Sequence, residues 1–169
     1  MSFKLFPDMP GSARVFFFTA DSSLPDSTST QLLSNVLSFL KSWTAHGSTL
    51  TADAIIISNR VLIVSVDESA ASASGCSLDS LNKFIKQEAT SMGVDLFNRS
   101  WVLYRAPMLD KSNFVDQWTT EKLHDFWARR KAKLINDDTQ VLDTTLITLK
   151  DARTQLVSSF SDSWHASMW

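Results

Sequence analysis

The stretch ADAIIISNRVLIVSV, residues 52–66, decides the fold class. Two apolar runs, Ala52–Ile57 and Val61–Val66, flank Ser58-Asn59-Arg60. Branched Cβ atoms lose rotamer freedom in a helical turn and pack well on a pleated surface, so runs this rich in Ile and Val favour strands. Asn tolerates the positive φ of a tight turn, and the segment reads as a β-hairpin.

Upstream, Leu32, Leu33, Val36, Leu37, Leu40 and Trp43 recur at helical spacing, which predicts an amphipathic helix from about Ser29 to Ala45. Thr28-x-x-Gln31 suits a capping box at its start, and His46-Gly47 suits its end, with Gly47 left-handed. Ala13–Thr19 reads as a strand between Pro10-Gly11 and Asp21–Pro25. Downstream, Ala70–Gly75 reads as a serine-rich loop. Leu78, Leu81, Phe84, Ile85, Ala89 and Met92 mark a second helix closed by Gly93, and Trp101–Arg105 reads as a strand stopped by Pro107. The order β-α-β-β-α-β is that of ferredoxin-like domains, an antiparallel sheet with both helices on one face. Thr120–Lys133 adds a helix and Val141–Leu149 a strand. The expected fold is a single α+β domain over 1–169, a ferredoxin-like core at 13–106 with a helix–strand extension at 107–169.

Composition narrows the function classes. A chain of 169 residues buries roughly 68–70% of its unfolded surface and folds without staples. One cysteine forbids a disulfide framework and any CxxC pair. Four dispersed glycines and no Gly-Lys dipeptide leave no phosphate loop. A net charge of −2 gives no electrostatic reason to expect nucleic acid or an anionic membrane. The aromatic pattern of RNA-recognition strands is absent from Val61–Val66. Arg129–Lys133 reads as a dipole-matched helix end. Asp8, Pro7 and Pro10 interrupt any signal-peptide core, and no apolar run reaches the ~20 residues of a spanning helix. The expected location is cytoplasmic, which makes the sequon Asn98-Arg99-Ser100 a chance match. Three dispersed histidines and one cysteine lack metal-ligand spacing, so neither metal nor cofactor is expected.

The sharpest chemical feature is Ser74-Gly75-Cys76-Ser77-Leu78-Asp79, a loop running into a helix. Unpaired N–H groups and the positive dipole end at a helix N-terminus stabilise a thiolate, and Gly75 permits close approach of a substrate. The competing structural reading makes Ser77 the N-cap, with Cys76 and Leu81 as the two ends of a hydrophobic staple and Asp79 a dipole-matched carboxylate. His46 and His165 are candidate bases for the thiol. Against that, a histidine in a last helical turn suits the dipole, and a tryptophan-rich tail around Trp164 and Trp169 suits packing or dimer contact. His124 reads as a partly exposed helix residue.

Trp43-x-x-His46-Gly47, Ser74-Gly75-Cys76-Ser77-x-Asp79, the stretch NDDTQVLDTTLIT at 136–148 and Ser163-Trp164-His165 together resemble a family of small, uncharacterised bacterial proteins sometimes labelled "ABC transporter ATPase". The resemblance spans the chain from Trp43 onward. It implies a cytoplasmic single-domain protein and supplies no substrate, cofactor or catalytic residue, although His46, Cys76, Asp79 and His165 all fall in its motifs. The ATPase label fails here, because neither a Walker A loop nor an LSGGQ-like run is present.

Two functional expectations follow. The first is a non-enzymatic binding or interaction protein that self-associates as a homodimer through an aromatic surface or its tail, motivated by six tryptophans. The alternative is a thiol-dependent enzyme or redox-responsive protein with Cys76 as nucleophile, His46 or His165 as base and Asp79 beside them. A buried sulfur favours the first, and a sulfur in a cleft with an imidazole favours the second.

Overall fold

Strand formation begins at the aromatic run Arg14–Thr19 (β1), followed by the 16-residue helix Asp26–Lys41 (α1). These belong to a computed structural model that describes residues 4–106 and 118–168. Pro107 and Trp169 lie outside the described residues. Pro25 stands at the N-cap of α1 with φ −54°, and Asp26 sets a carboxylate against the positive dipole end. The helix therefore starts before Ser29, and Thr28 falls within its first turn instead of capping it. It also ends sooner than the apolar spacing suggests. Trp43 continues that spacing but lies beyond the helix, 2% exposed.

The two short strands Thr44–Ala45 (β2) and Ser48–Thr49 (β3) pair so that Ala45 faces Ser48, which leaves His46-Gly47 as a two-residue loop. Both loop residues have positive φ, +51° and +81°, as a type I′ hairpin turn requires. His46 is thus at a hairpin tip and not in a helical last turn. Thr51–Ile57 (β4) and Val61–Asp67 (β5) form the expected hairpin, with Ile57 opposite Val61 and Ser58 and Asn59 at φ +52° and +49°.

The next helix, Gly75–Ser91 (α2), is capped by Ser74, whose Oγ accepts the Ser77 N–H at 3.2 Å. Gly93 closes it at φ +70°, with Val94 N–H bonded to Ala89 O and Gly93 N–H to Thr90 O, a Schellman arrangement. Trp101–Arg105 (β6) is the expected strand. Thr119–Lys122 (β7) occupies the start of the segment read as helix, and the helix itself is Leu123–Lys131 (α3). The stretch read as one strand, Val141–Leu149, is instead the end of Gln140–Leu142 (β8), an irregular connection and the start of Leu149–Gln155 (α4). Val157–Ser159 (β9) and two 3-10 turns, Phe160–Asp162 and Trp164–Met168, complete the described chain.

The chain is α+β with antiparallel sheets. One sheet has the order β1-β5-β4, the other β7-β6-β8-β9, and β2-β3 is a separate hairpin. The ferredoxin-like order would place β6 beside β1. Here β6 pairs with β7 and β8, both beyond residue 107, and the outer edge of β1 is met by the segment around Thr148. Val15 N–H bonds to Ile147 O and Leu149 N–H to Ala13 O, occupying the edge that a fourth strand would need.

Alternation along β5 shows where the core sits. Leu62, Val64 and Val66 join α1 and α2 in one cluster, while Val61 and Ile63 point to the other face. There they meet Leu103 of β6, Leu142 of β8, Val157 of β9 and the apolar side of α4. A strand covered on both faces reads as a continuous apolar run. Val102, the neighbour of Leu103, serves a third cluster with Val141, Phe126 of α3 and Phe160. Arg153 of α4 ties the N-terminal segment down, its guanidinium donating to Leu5 O, Phe6 O and Met9 O at 2.6–2.9 Å. Both helices on one face of the first sheet is the expected arrangement.

Candidate functional site

The β2–β3 hairpin and the first turn of α2 face each other across an open cleft of about 380 Å³. Thr44, Ala45 and His46 form one wall, and Ser74–Ser77 with Ser80 the other. With Ser74 as N-cap, Gly75 is N1, Cys76 is N2 and Ser77 is N3, so the staple reading of Cys76 is overturned. Its thiol is free and exposed, while Ser77, read as the cap, is buried. Ser-x-x-Ser offered two capping choices. The earlier serine takes the cap, and Ser77 turns its own hydroxyl back to Ser74 O at 2.8 Å.

A residue at N2 has a backbone N–H without an intrahelical acceptor and lies against the positive dipole end. Among the described residues, the Gly75 and Cys76 N–H groups have no hydrogen-bond acceptor. The serine hydroxyls of the cleft are engaged locally: Ser77 Oγ donates to Ser74 O at 2.8 Å, and Ser80 Oγ to Ser77 O at 2.7 Å. His46 is exposed on the facing wall. Left-handed φ is uncommon for a residue other than glycine and is enriched for Asn, Asp and His.

Two further candidates are not part of this cleft. Asp79 falls at the fifth helical position of α2 instead of N2, exposed and not among the residues that line the cleft. His165 is 3% exposed in the last 3-10 turn and packs in the third cluster, its ring against Phe126 at 5.7 Å and stacked on Trp164 at 3.9 Å. It is not among the residues that line the cleft with Cys76. Burial holds the His165 imidazole down to a pKa of about 4, with Asp143 pulling weakly the other way. His124 is exposed on α3.

The basic run at the end of α3 is engaged. Arg129 pairs with Glu121, Arg130 with Asp137, and Lys131 lies 4.0 Å from the Trp127 ring. Nearby, burial and then Glu121 push Tyr104 up to about 12, which keeps its phenol neutral. Among the described residues no group of three or more His, Cys, Asp or Glu is placed to hold a metal ion, and no helix is long and apolar enough to cross a membrane.

The sequence reading missed the hairpin and with it the role of Trp43. The available signal was His46-Gly47 flanked by Thr44-Ala45 and Ser48-Thr49, a two-residue turn between short β-prone pairs. Compared with protein-family models, curated proteins and solved structures, the chain matches none.

Proposed function

We propose that the protein is a thiol-dependent enzyme or redox-responsive protein that works through the cleft between the β2–β3 hairpin and α2, with Cys76 as nucleophile and His46 as its base. The observation that carries this reading is the exposed thiol at N2 of a 17-residue helix, lining one cleft with an imidazole. The two motifs on which the family resemblance mainly rests, Trp43-x-x-His46-Gly47 and Ser74-Gly75-Cys76-Ser77-x-Asp79, supply the facing walls. In the step this arrangement supports, Sγ bonds to an electrophilic carbon or sulfur, the leaving group departs with the bonding pair, and the thiol proton passes to His46. No hydrogen bond joins Cys76 and His46 across the cleft. Such contacts tighten when a substrate fills a site.

Alkylation by iodoacetamide tests it. At pH 6 Cys76 is expected to react about fivefold faster than cysteine in an unstructured peptide, because His46 takes the thiol proton as the new bond forms. The advantage shrinks above pH 8, where the peptide thiol increasingly ionises unaided. His46→Asn, which tolerates left-handed φ, should bring the pH 6 rate down to the peptide's. A rate and pH profile like the peptide's, or no response to His46→Asn, would overturn the reading.

Self-association is a second reading, favoured by Trp164 and Met168, 39% and 43% exposed on one 3-10 turn. Tryptophan and methionine are enriched in interfaces. Light scattering should then give a dimer mass that Trp164→Ser with Met168→Ser reduces to that of a monomer; a monomeric parent protein removes the reading.

A further inference from the structure

We propose that Trp43 is the positioning residue of the cleft, setting the hairpin that bears His46 against the helix end that bears Cys76. The inference rests on the thiol reading above. Trp43 directly precedes β2, and its indole N–H donates across to Ser77 O at 2.8 Å, a buried hydrogen bond between residues 34 apart in sequence. Ser77 follows Cys76 in the first turn of α2. The Trp43 carbonyl also accepts the Leu50 N–H at 2.9 Å, which closes the base of the hairpin. A single residue thus fastens the hairpin to itself and to the helix. Its ring is 2% exposed and lies 6.3 Å from Phe39, which in turn stacks on Phe84 of α2 at 4.4 Å.

A two-residue hairpin between two-residue strands has almost no stability of its own. Its placement depends on what anchors its base. Ser77 O accepts both the Trp43 indole and the Ser80 hydroxyl, and the former is the bond that crosses to the hairpin. Losing the indole N–H leaves Cys76 on its helix while freeing His46 to drift.

The test removes the donor and keeps the ring. Trp43→Phe, and a site-specific benzothienylalanine at 43 that keeps the bicyclic shape without the N–H, are compared with His46→Asn and with both changes together. The readout is alkylation of Cys76 by iodoacetamide, in which the Sγ–C bond forms, iodide leaves with its bonding pair and the thiol proton goes to the imidazole. Loss of the indole N–H should lower the pH 6 rate about fivefold, as His46→Asn does, with no further fall in the double variant. At pH 9 the rate should be unchanged, and a cooperative urea transition like the parent's separates loss of positioning from a loosened fold. Benzothienylalanine keeps the packing if phenylalanine proves too small. A normal pH 6 rate without the N–H, alongside a reduced rate for His46→Asn, overturns the positioning role and leaves the thiol reading standing. Losses that multiply in the double variant overturn it as well. No effect of His46→Asn overturns the thiol reading and this inference together.

Discussion

Replacing Phe126 by alanine is expected to lower the unfolding free energy by about 3–5 kcal/mol. Phe126 is fully buried and is the only buried residue of α3. Its ring meets Tyr104 at 5.2 Å, Phe160 at 6.0 Å and His165 at 5.7 Å, so one side chain joins α3, the second sheet and both 3-10 turns. Each aromatic pair adds about 0.5–1.5 kcal/mol beyond area burial. Among the described residues the cluster has five buried apolar members, and two of them, Val102 and Val141, are fixed in paired strands. The space left by the ring therefore closes poorly, which puts the cost near the upper end. Nine residues without a side-chain N-cap cannot hold α3 as a helix unaided. Urea unfolding checks the expectation, with Phe126→Leu recovering roughly half of the loss. A loss below about 1 kcal/mol for the alanine variant would mean that α3 docks by other contacts.

The parts of the fold that were legible in the sequence are those whose pattern is local. The hairpin around Ser58-Asn59-Arg60 follows from branched residues on either side of a turn, and its register follows from the loop length. Gly93 was readable as a helix stop because left-handed φ at C′ is a backbone requirement of a single residue. Strand order was not legible. β6 has strand chemistry wherever it lies, and only pairing with strands tens of residues away assigns it to the second sheet. Trp43 misled because it sits three residues beyond Leu40, the spacing of a continuing helix, while its buried ring in fact follows from contacts with Phe39 and Ser77. The α4 cap was legible and overlooked. Thr148 Oγ1 accepts the Asp151 N–H, the cap that Thr-x-x-Asp before a helix advertises, and donates to the Asp151 carboxylate, which takes the hydroxyl in place of the N-cap N–H. Of the site, Cys76 at a helix start was readable from Ser-Gly-Cys-Ser, but its exposure turned on which serine caps. That choice separates a buried staple from an open thiol, and two serines three apart are chemically equal candidates for it.

His165 alone is expected to remove about 3 kcal/mol of stability between pH 7 and pH 4. The imidazole sits between Trp164 and Phe126 with Ser163 Oγ at 3.3 Å from Nδ1, and among the described residues no carboxylate forms an ion pair with it. Burial lowers its pKa from 6.5 to about 4, since an imidazolium there would lose its hydration, and the longer-range attraction of Asp143 offsets little of this. The direction of the effect follows from proton counting. Between pH 6.5 and pH 4 the unfolded chain binds a proton that the folded chain does not, so stability rises with pH across that window. The loss begins as pH falls through 6.5 and levels off below about 4, where the folded protein also takes the proton. Carboxylates titrate in the lower part of the same window, so the parent protein alone does not isolate the term. Urea unfolding of the parent and of His165→Gln at pH 7, 5.5 and 4.5 does, because the variant keeps every other group. Glutamine is worse packed and costs stability at pH 7. The gap between the two proteins should shrink by about 1 kcal/mol at pH 5.5 and by more than 2 kcal/mol at pH 4.5. A gap that stays constant over that range would mean that His165 is solvated in the folded protein, and that the third cluster is open to water where the aromatic packing closes it.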